Sequence, residues 1–196
     1  TKGSKVSKLS TLNPNFSAMI MEMLIELELD SSSKIAISYT GSYPGANIAV
    51  LSALETMDIE ASIISSCGSS SYGATYSEMT WIDMESYLYN EDHVSNKSKL
   101  GSIGGGFDSG IQLNQEGRKV CESAIYSNKI EPLYEQDPIK NVKKRLSYYN
   151  QFRELEDVNL YINVGGGVYS VGHKEKRENL TAGIIYPGDI NIDINN

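Results

Sequence analysis

One stretch of the chain, SYTGSYPGANIAVL at residues 38–51, limits the possible folds more than any other part of the sequence. The apolar run Lys34–Tyr39 predicts a buried strand, and the small residues of Gly41–Gly45 predict a tight loop. Apolar residues resume near Asn47 and predict a helix that ends near Met57. A strand, a loop and a helix in this order bring backbone N–H groups and the positive end of a helix dipole together, which favours a bound anion. The same residue types also build ordinary turns between a strand and a helix.

Two further strands are predicted to end in similar loops. Residues 61–66 (ASIISS) predict a strand that joins the first one through a right-handed crossover, and Ser/Gly-rich residues follow it. Residues 160–164 (LYINV) predict a third strand, which runs into three consecutive glycines. Because parallel strands end at the same edge of a sheet, the three loops share one rim, where open α/β sheets bind ligands.

Helix signals separate these strands. Asn13-Pro14 predicts an N-cap and a first helical residue, and further helices are predicted to begin after Thr80, Asn114 and Asp137. Residues 100–108 (LGSIGGGFD) predict a short strand and a glycine turn.

The alternation of strands and helices predicts an α/β fold, a Rossmann-like three-layer sandwich with a mostly parallel sheet. We expect a flexible lead-in over residues 1–12, one α/β domain over 13–172 and a C-terminal extension over 173–196.

Composition narrows the class of partner. The 196 residues suit a single domain, and a net charge of −8 with an isoelectric point near 4.8 argues against nucleic acid as a partner.

The two cysteines, Cys67 and Cys121, lie outside any CxxC motif, so the sequence predicts no metal site. None of the loops has the GxxxxGKS/T or GxGxxG spacing of a nucleotide site, so no cofactor is predicted. No apolar run reaches the roughly 18 residues of a membrane span.

The rim supplies the candidate ligand-binding residues. Glycines would let a ligand approach the backbone, and serine and asparagine side chains would add hydrogen-bond donors. The candidates are Gly41, Ser42, Gly45, Asn47, Gly68, Ser69, Ser70, Gly165, Gly166 and Gly167. A basic cluster over Lys140–Arg145 is predicted to be a solvated helix face.

Catalysis is a second possibility for the same rim. Ser42 follows a strand and precedes a helix, as an exposed nucleophile does, although it lacks the GxSxG context. Its base would be His173, shortly after the glycine run, while His93 lies in a polar loop. Asp83 and Asp108 are alternative carboxylates for a base or a cation site. Asp83 equally fits a helix cap, and Asp108 a turn.

Several motifs together resemble the poly-γ-glutamate system protein family, which is encoded with bacterial poly-γ-glutamate (capsule) production machinery. The resemblance runs from Asn13 to about Gly172. The motifs that carry it are TLNPNFSAMIMEML, SYTGSYPGANIAVLSAL, IISSCGSSSYGAT, TWIDMESYLY, GGGFDSGIQLNQEGR and INVGGGVYSVG. It implies an accessory role in poly-γ-glutamate synthesis, export or processing. The implied partners are poly-γ-glutamate, or another small anionic ligand, and the synthesis machinery.

The resemblance also implies a place in the bacterial cell envelope. Members of the family carry a hydrophobic N-terminal segment and additional C-terminal sequence, whereas this chain begins at Thr1. We therefore expect a membrane anchor in a segment that precedes Thr1.

Two alternatives remain open at this point. One is a serine-type hydrolase that acts on γ-glutamyl or ester bonds through Ser42. The other is a sugar-phosphate-binding domain of the sugar isomerase type, because the order strand–GSxPGxN–helix–strand–SS is similar to that family's phosphate site.

Overall fold

The computed structural model describes residues 3–150, 158–172 and 183–186. The strands are β1 (Ile35–Thr40), β2 (Ala61–Ser66), β3 (Leu100–Ser102), β4 (Glu131–Pro132) and β5 (Leu160–Asn163). The helices are α1 (Lys5–Ser10), α2 (Pro14–Glu26), α3 (Pro44–Thr56), α4 (Trp81–Asn90), α5 (Gln115–Ser127), α6 (Pro138–Asn150) and α7 (Val168–Val171), and a 3₁₀ turn covers Gly106–Asp108.

The five strands form one parallel sheet in the order β4-β3-β2-β1-β5. The predicted α/β fold is therefore confirmed. The chain adds β2, β3 and β4 successively on one side of β1 and then places β5 on the other side. The strand order thus reverses between β1 and β5, and such a reversal opens a crevice at the carboxyl ends of the strands.

Side chains alternate between two cores, one on each face of the sheet. On one face, Ile37 and Ile63 pack with Leu54 of α3 and Trp81 of α4, and all four are fully buried. On the other face, Ile64 packs with residues of α6 that include Tyr148 and Tyr149. Coverage on both faces explains the consecutive buried apolar residues in these strands, residues 35–37 of β1 and 63–64 of β2.

The predicted helix starts are present. The Asn13 side chain accepts a hydrogen bond from Asn15 N, with Pro14 as the first helical residue. Thr80 and Asp83 form a reciprocal capping box at α4. Helix α3 begins at Pro44 and not near Asn47, because proline is favoured in a first helical turn. Among the described residues, no helix has both the length and the apolar character needed to cross a bilayer.

The flexible lead-in expected over residues 1–12 stays a prediction, but residues 3–12 contact the rest of the chain. This segment contains α1, and Lys8 Nζ donates hydrogen bonds to Ser70 Oγ at 2.8 Å and to the carbonyl oxygens of Ser70 and Ser71. Contacts so distant in the sequence leave no local signal. The expected C-terminal extension falls outside the described residues except for 183–186.

Candidate functional site

The loop after β1 is packed more tightly than an open anion cradle would be. A Cβ atom at Gly41 would lie 2.3 Å from the Cys67 carbonyl oxygen, and one at Gly45 would lie 2.7 Å from Thr11 Oγ1. Both glycines are buried, so they serve close packing between segments. We expected a ligand to reach the backbone at Gly45, but residues 11 and 12 occupy that space.

Asn47 has an internal role. Its side chain is fully buried, and Nδ2 donates to the Thr40 carbonyl oxygen at 2.9 Å. This hydrogen bond closes the turn between β1 and α3. The donor that we expected to face a ligand therefore stabilises the loop itself.

The loop after β2 also directs its polar groups inward. Gly68 N donates to the Ile103 carbonyl oxygen at 2.8 Å, and Ser69 Oγ donates to the Ser70 carbonyl oxygen at 2.9 Å. Ser70 N donates to Ser42 Oγ at 3.0 Å. The structure thus brings Ser42 and Ser70 together, as the shared rim predicted, but they join two loops to each other.

The predicted catalytic partners of Ser42 do not assemble around it in the described residues. His173 lies outside them. His93 is exposed in the segment that leads to Asn96, whose side chain binds Ala61 N at the opposite, amino end of β2. The Asp83 carboxylate already accepts hydrogen bonds from Thr80 and, at 2.7 Å, from Asn128 Nδ2. The hydrolase alternative therefore stays a prediction without geometric support.

The glycine run after β5 packs on the end of β1. Gly165 has φ +101°, and a Cβ atom there would lie 2.0 Å from Thr40 Cγ2. Gly166 is exposed, whereas Gly167 lies at the start of α7 and lines a cavity. Of the ten predicted ligand-binding residues, Gly167 alone lines this cavity.

This switch-point cavity lies at the reversal between β1 and β5 and is about 20 Å³ in volume. That is room for about one water molecule. Its walls come from the ends of β1 and β2, the residue that follows Asn163 at the end of β5, the GGGFD turn, α6 and α7. They are formed by Ser38, Tyr39, Thr40, Ser66, Asp108, Arg145, Val164, Gly167, Tyr169 and Ser170.

An ion pair between Asp108 and Arg145 forms the charged wall of the cavity. The two side chains are 10% and 7% exposed, and Arg145 Nη2 donates to Asp108 Oδ2. Ser102 Oγ donates to Asp108 Oδ1 at 3.1 Å, and Arg145 Nε donates to Asn141 Oδ1 at 2.9 Å. Both charged groups are therefore held in fixed positions.

The burial of Arg145 corrects the prediction of a solvated face over Lys140–Arg145. Helix α6 buries Asn141, Arg145, Tyr148 and Tyr149, which recur at the spacing of one helix face. The three lysines of the cluster lie on the exposed side of the helix. The sequence signal for this buried face is the helical spacing of its four residues. It was missed because two of them are polar and the three lysines of the cluster lie beside them.

The turn that carries Asp108 has a strained backbone. Phe107 and Asp108 both have φ 53°, and Gly104 and Gly105 before them have φ 79° and 75°. A left-handed conformation costs a non-glycine residue about 1–2 kcal/mol. Residues held in this way are concentrated at functional sites. In this conformation the turn presents Asp108 to the cavity wall.

Tyr169 supplies an unused polar group. Its hydroxyl oxygen is buried and has no hydrogen-bond partner among the described residues, and its ring packs on Phe107 with centroids 6.2 Å apart. A buried unpaired hydroxyl is unfavourable unless a water molecule or a ligand satisfies it. The described residues contain no group of three His, Cys, Asp or Glu side chains arranged to hold a metal ion.

No protein-family model, curated protein or solved structure matches the chain. The fold assignment therefore depends on the structure alone, and the resemblance to the poly-γ-glutamate system family remains a prediction.

Proposed function

We propose that the protein is an accessory protein of poly-γ-glutamate synthesis, export or processing in the bacterial cell envelope, and that it binds a carboxylate-bearing ligand at the switch-point cavity. The buried guanidinium of Arg145 in the cavity wall carries this proposal. It moves the predicted anion site from the loop after β1 to the crevice between β1 and β5.

Arg145 has donors to spare for a ligand. A guanidinium group carries five N–H donors in a planar fork that matches a carboxylate. The hydrogen bonds to Asn141 and Asp108 use Nε and Nη2. The hydroxyl of Tyr169, which has no hydrogen-bond partner within the described part of the chain, adds a further donor in the cavity wall.

The ion pair is better explained by binding than by stability. Burying two charges costs desolvation energy that their attraction seldom exceeds, and apolar replacements of buried pairs are often neutral or stabilising. A guanidinium in the wall of a sheet crevice suits an anionic ligand. Poly-γ-glutamate has one free α-carboxylate on each residue, so it repeats the required group along its length.

The cavity must enlarge to admit this group, because a carboxylate exceeds the volume of one water molecule. Helix α7 is the movable wall. It has four residues and lies between Gly167 and Gly172, and a Cβ atom at Gly172 would meet no described residue within 4 Å. We expect α7 to shift outward when the ligand binds.

A titration with γ-linked glutamate oligomers tests the proposal. The test variant combines Asp108→Asn with Arg145→Gln, so that neither charge is left buried alone. Loss of a hydrogen bond to a charged group should raise Kd by about tenfold or more. The matched control is Lys143→Gln, which makes the same charge change as Arg145→Gln on the exposed side of α6 and should bind as the wild type does.

Amide chemical shifts locate the site in the same experiment. We expect shifts in Asp108, Tyr169 and Gly167 during the titration. Equal affinity of the double variant and the wild type would contradict the proposal. So would ligand-induced shifts confined to residues 41–47.

A further inference from the structure

Asp108 holds the position on Arg145 that a ligand carboxylate needs. Arg145 Nη2 donates to Asp108 Oδ2, and both residues line the switch-point cavity. A ligand carboxylate that enters this cavity of about 20 Å³ therefore meets a second carboxylate at the same guanidinium. Two carboxylates that share one buried site repel each other. Binding is therefore stronger if Asp108 leaves Arg145.

The turn that carries Asp108 also borders a second opening. A surface cleft of about 300 Å³ is lined by Phe107, Asp108 and Arg118, among others. Among the described residues, Asp108 alone lines both this cleft and the switch-point cavity. Glu122 and Glu135 line the cleft as well. A displaced carboxylate can be hydrated in the cleft, and the Arg118 guanidinium offsets part of the repulsion from the two glutamates.

The backbone of the turn favours such a movement. Asp108 has φ 53°, a value that few non-glycine residues adopt, and Phe107 has the same value. Ser102 Oγ donates to Asp108 Oδ1 at 3.1 Å, and Arg145 donates to Oδ2. Release from Arg145 would let Asp108 return to a more favourable conformation. Because the Phe107 ring packs on Tyr169 of α7, movement of the turn is linked to the outward shift expected of that helix.

We propose that the carboxylate of the ligand displaces Asp108 from Arg145, and that Asp108 is a built-in competitor which keeps the site closed until a ligand arrives. This displacement rests on the proposed function, because it describes how the ligand of that function enters. The spare N–H groups of Arg145 receive the ligand first, and the exchange then leaves the guanidinium paired at every stage. An unpaired buried charge, which is the costly state, is thus avoided.

Displacement also selects among ligands. A neutral molecule does not replace a carboxylate on a guanidinium, and a single small anion competes against a group that the chain holds at a high effective concentration. A polymer with one carboxylate on every residue competes better, because a neighbouring carboxylate can bind when one dissociates. The site therefore favours a chain of linked carboxylates over free glutamate.

NMR of the wild-type protein tests the displacement directly. The carboxyl carbon (Cγ) resonance of Asp108 is followed during a titration with γ-linked glutamate oligomers, and the exposed Asp92 serves as the reference. At saturation we expect the Asp108 resonance to move towards that of Asp92, because the carboxylate passes from a buried ion pair to solvent. Binding with an unmoved Asp108 resonance would overturn the displacement and leave the proposed function intact.

The variant Asp108→Gly removes the competitor, and glycine suits the positive φ at this position. Its Kd for the oligomers should fall by about tenfold or more, because the site no longer has to open before binding. The matched control is Asp92→Gly, the same change at an exposed residue with φ 56°, which should bind as the wild type does. An unchanged or higher Kd for Asp108→Gly would contradict the displacement, and the wild-type measurement decides if this variant does not fold.

Acetate separates failure of the displacement from failure of the proposed function. It should raise the unfolding midpoint of Asp108→Gly more than chloride does at the same ionic strength, because it replaces the missing carboxylate on Arg145. A variant that folds only with acetate counts as such a gain. The double variant Asp108→Gly with Arg145→Gln should show none.

The two readouts together decide the remaining case. If neither the wild type nor Asp108→Gly binds the oligomers but acetate stabilises Asp108→Gly through Arg145, the polymer of the proposed function is wrong and the exchange of carboxylates on Arg145 is supported. If acetate has no effect either, the displacement is refuted as well.

Discussion

Replacing Glu85 with glutamine should remove a large part of the pH dependence of the protein's stability. Glu85 lies on α4 with no exposed surface, and Ser98 Oγ donates to its Oε1 at 2.8 Å. Ser98 also bonds Ser65 at 2.7 Å, and Ser65 Oγ accepts from Trp81 Nε1 at 3.0 Å. Glu85 Oε2 has no partner within the part of the chain that the structure describes.

The magnitude follows from the burial of this carboxyl group. Burial raises the pKa of Glu85 from 4.5 to about 7, against the opposing effects of the Ser98 hydrogen bonds and the Lys97 charge. The folded-state pKa therefore lies above the unfolded value. The stabilisation is complete below about pH 4.5 and is lost as the pH rises through 7, and the difference corresponds to about 3 kcal/mol.

Glutamine is a suitable probe because it resembles the protonated acid. Its amide oxygen can still accept from Ser98, and it does not ionise. Urea unfolding, followed by the fluorescence of Trp81, the only tryptophan in the sequence, would measure the free energy of unfolding from about pH 4 to about pH 8. The gain of Glu85→Gln over the wild type should grow by about 3 kcal/mol across this range.

A matched control is Glu91→Gln, which changes an exposed carboxylate just after the same helix. Its curve should follow the wild type. If the curves of Glu85→Gln and the wild type stay parallel across the whole pH range, the carboxyl group does not titrate as its burial implies, and the reasoning fails.

Two other substitutions test the packing of the rim. Gly165→Ala should destabilise the protein by about 2 kcal/mol or more in urea unfolding, because φ is positive there and the methyl group would meet Thr40, whereas Gly166→Ala at the exposed neighbour should have little effect. Lys8→Ala should cost about 1–3 kcal/mol and speed limited proteolysis within residues 1–12, because the bonds to Ser70 are lost. Unchanged proteolysis would mean that these bonds do not hold α1.

Local signals explain which parts of the fold could be predicted from the sequence. The strand at residues 61–66 and the helix caps at Asn13 and Thr80 depend on neighbouring residues, and the structure has them where the sequence indicates. Strand β4 has two residues, Glu131 and Pro132, and a two-residue strand at a sheet edge leaves no periodic pattern.

The candidate site depends on contacts between distant parts of the chain. Asp108 and Arg145 are 37 residues apart, and Lys8 and Ser70 are 62 apart. The sequence predicted that the loops after the strands share one edge of the sheet, and the parallel sheet confirms this shared edge. It did not show that the serines and glycines of the first two loops bond to each other. Because they do, the cavity at this edge is completed by side chains from later in the chain.

The place of β5 in the sheet has a consequence for synthesis on the ribosome. Residues 160–163 pair with β1, which emerges more than a hundred residues earlier, and Asn159 Oδ1 accepts from Lys34 N across a separation of 125 residues. Until β5 arrives, one edge of β1 has unpaired backbone groups next to an apolar core. Such edges attract other strands and promote aggregation. A nascent chain of this protein is therefore most in need of a chaperone during the interval between completion of α6 and docking of β5.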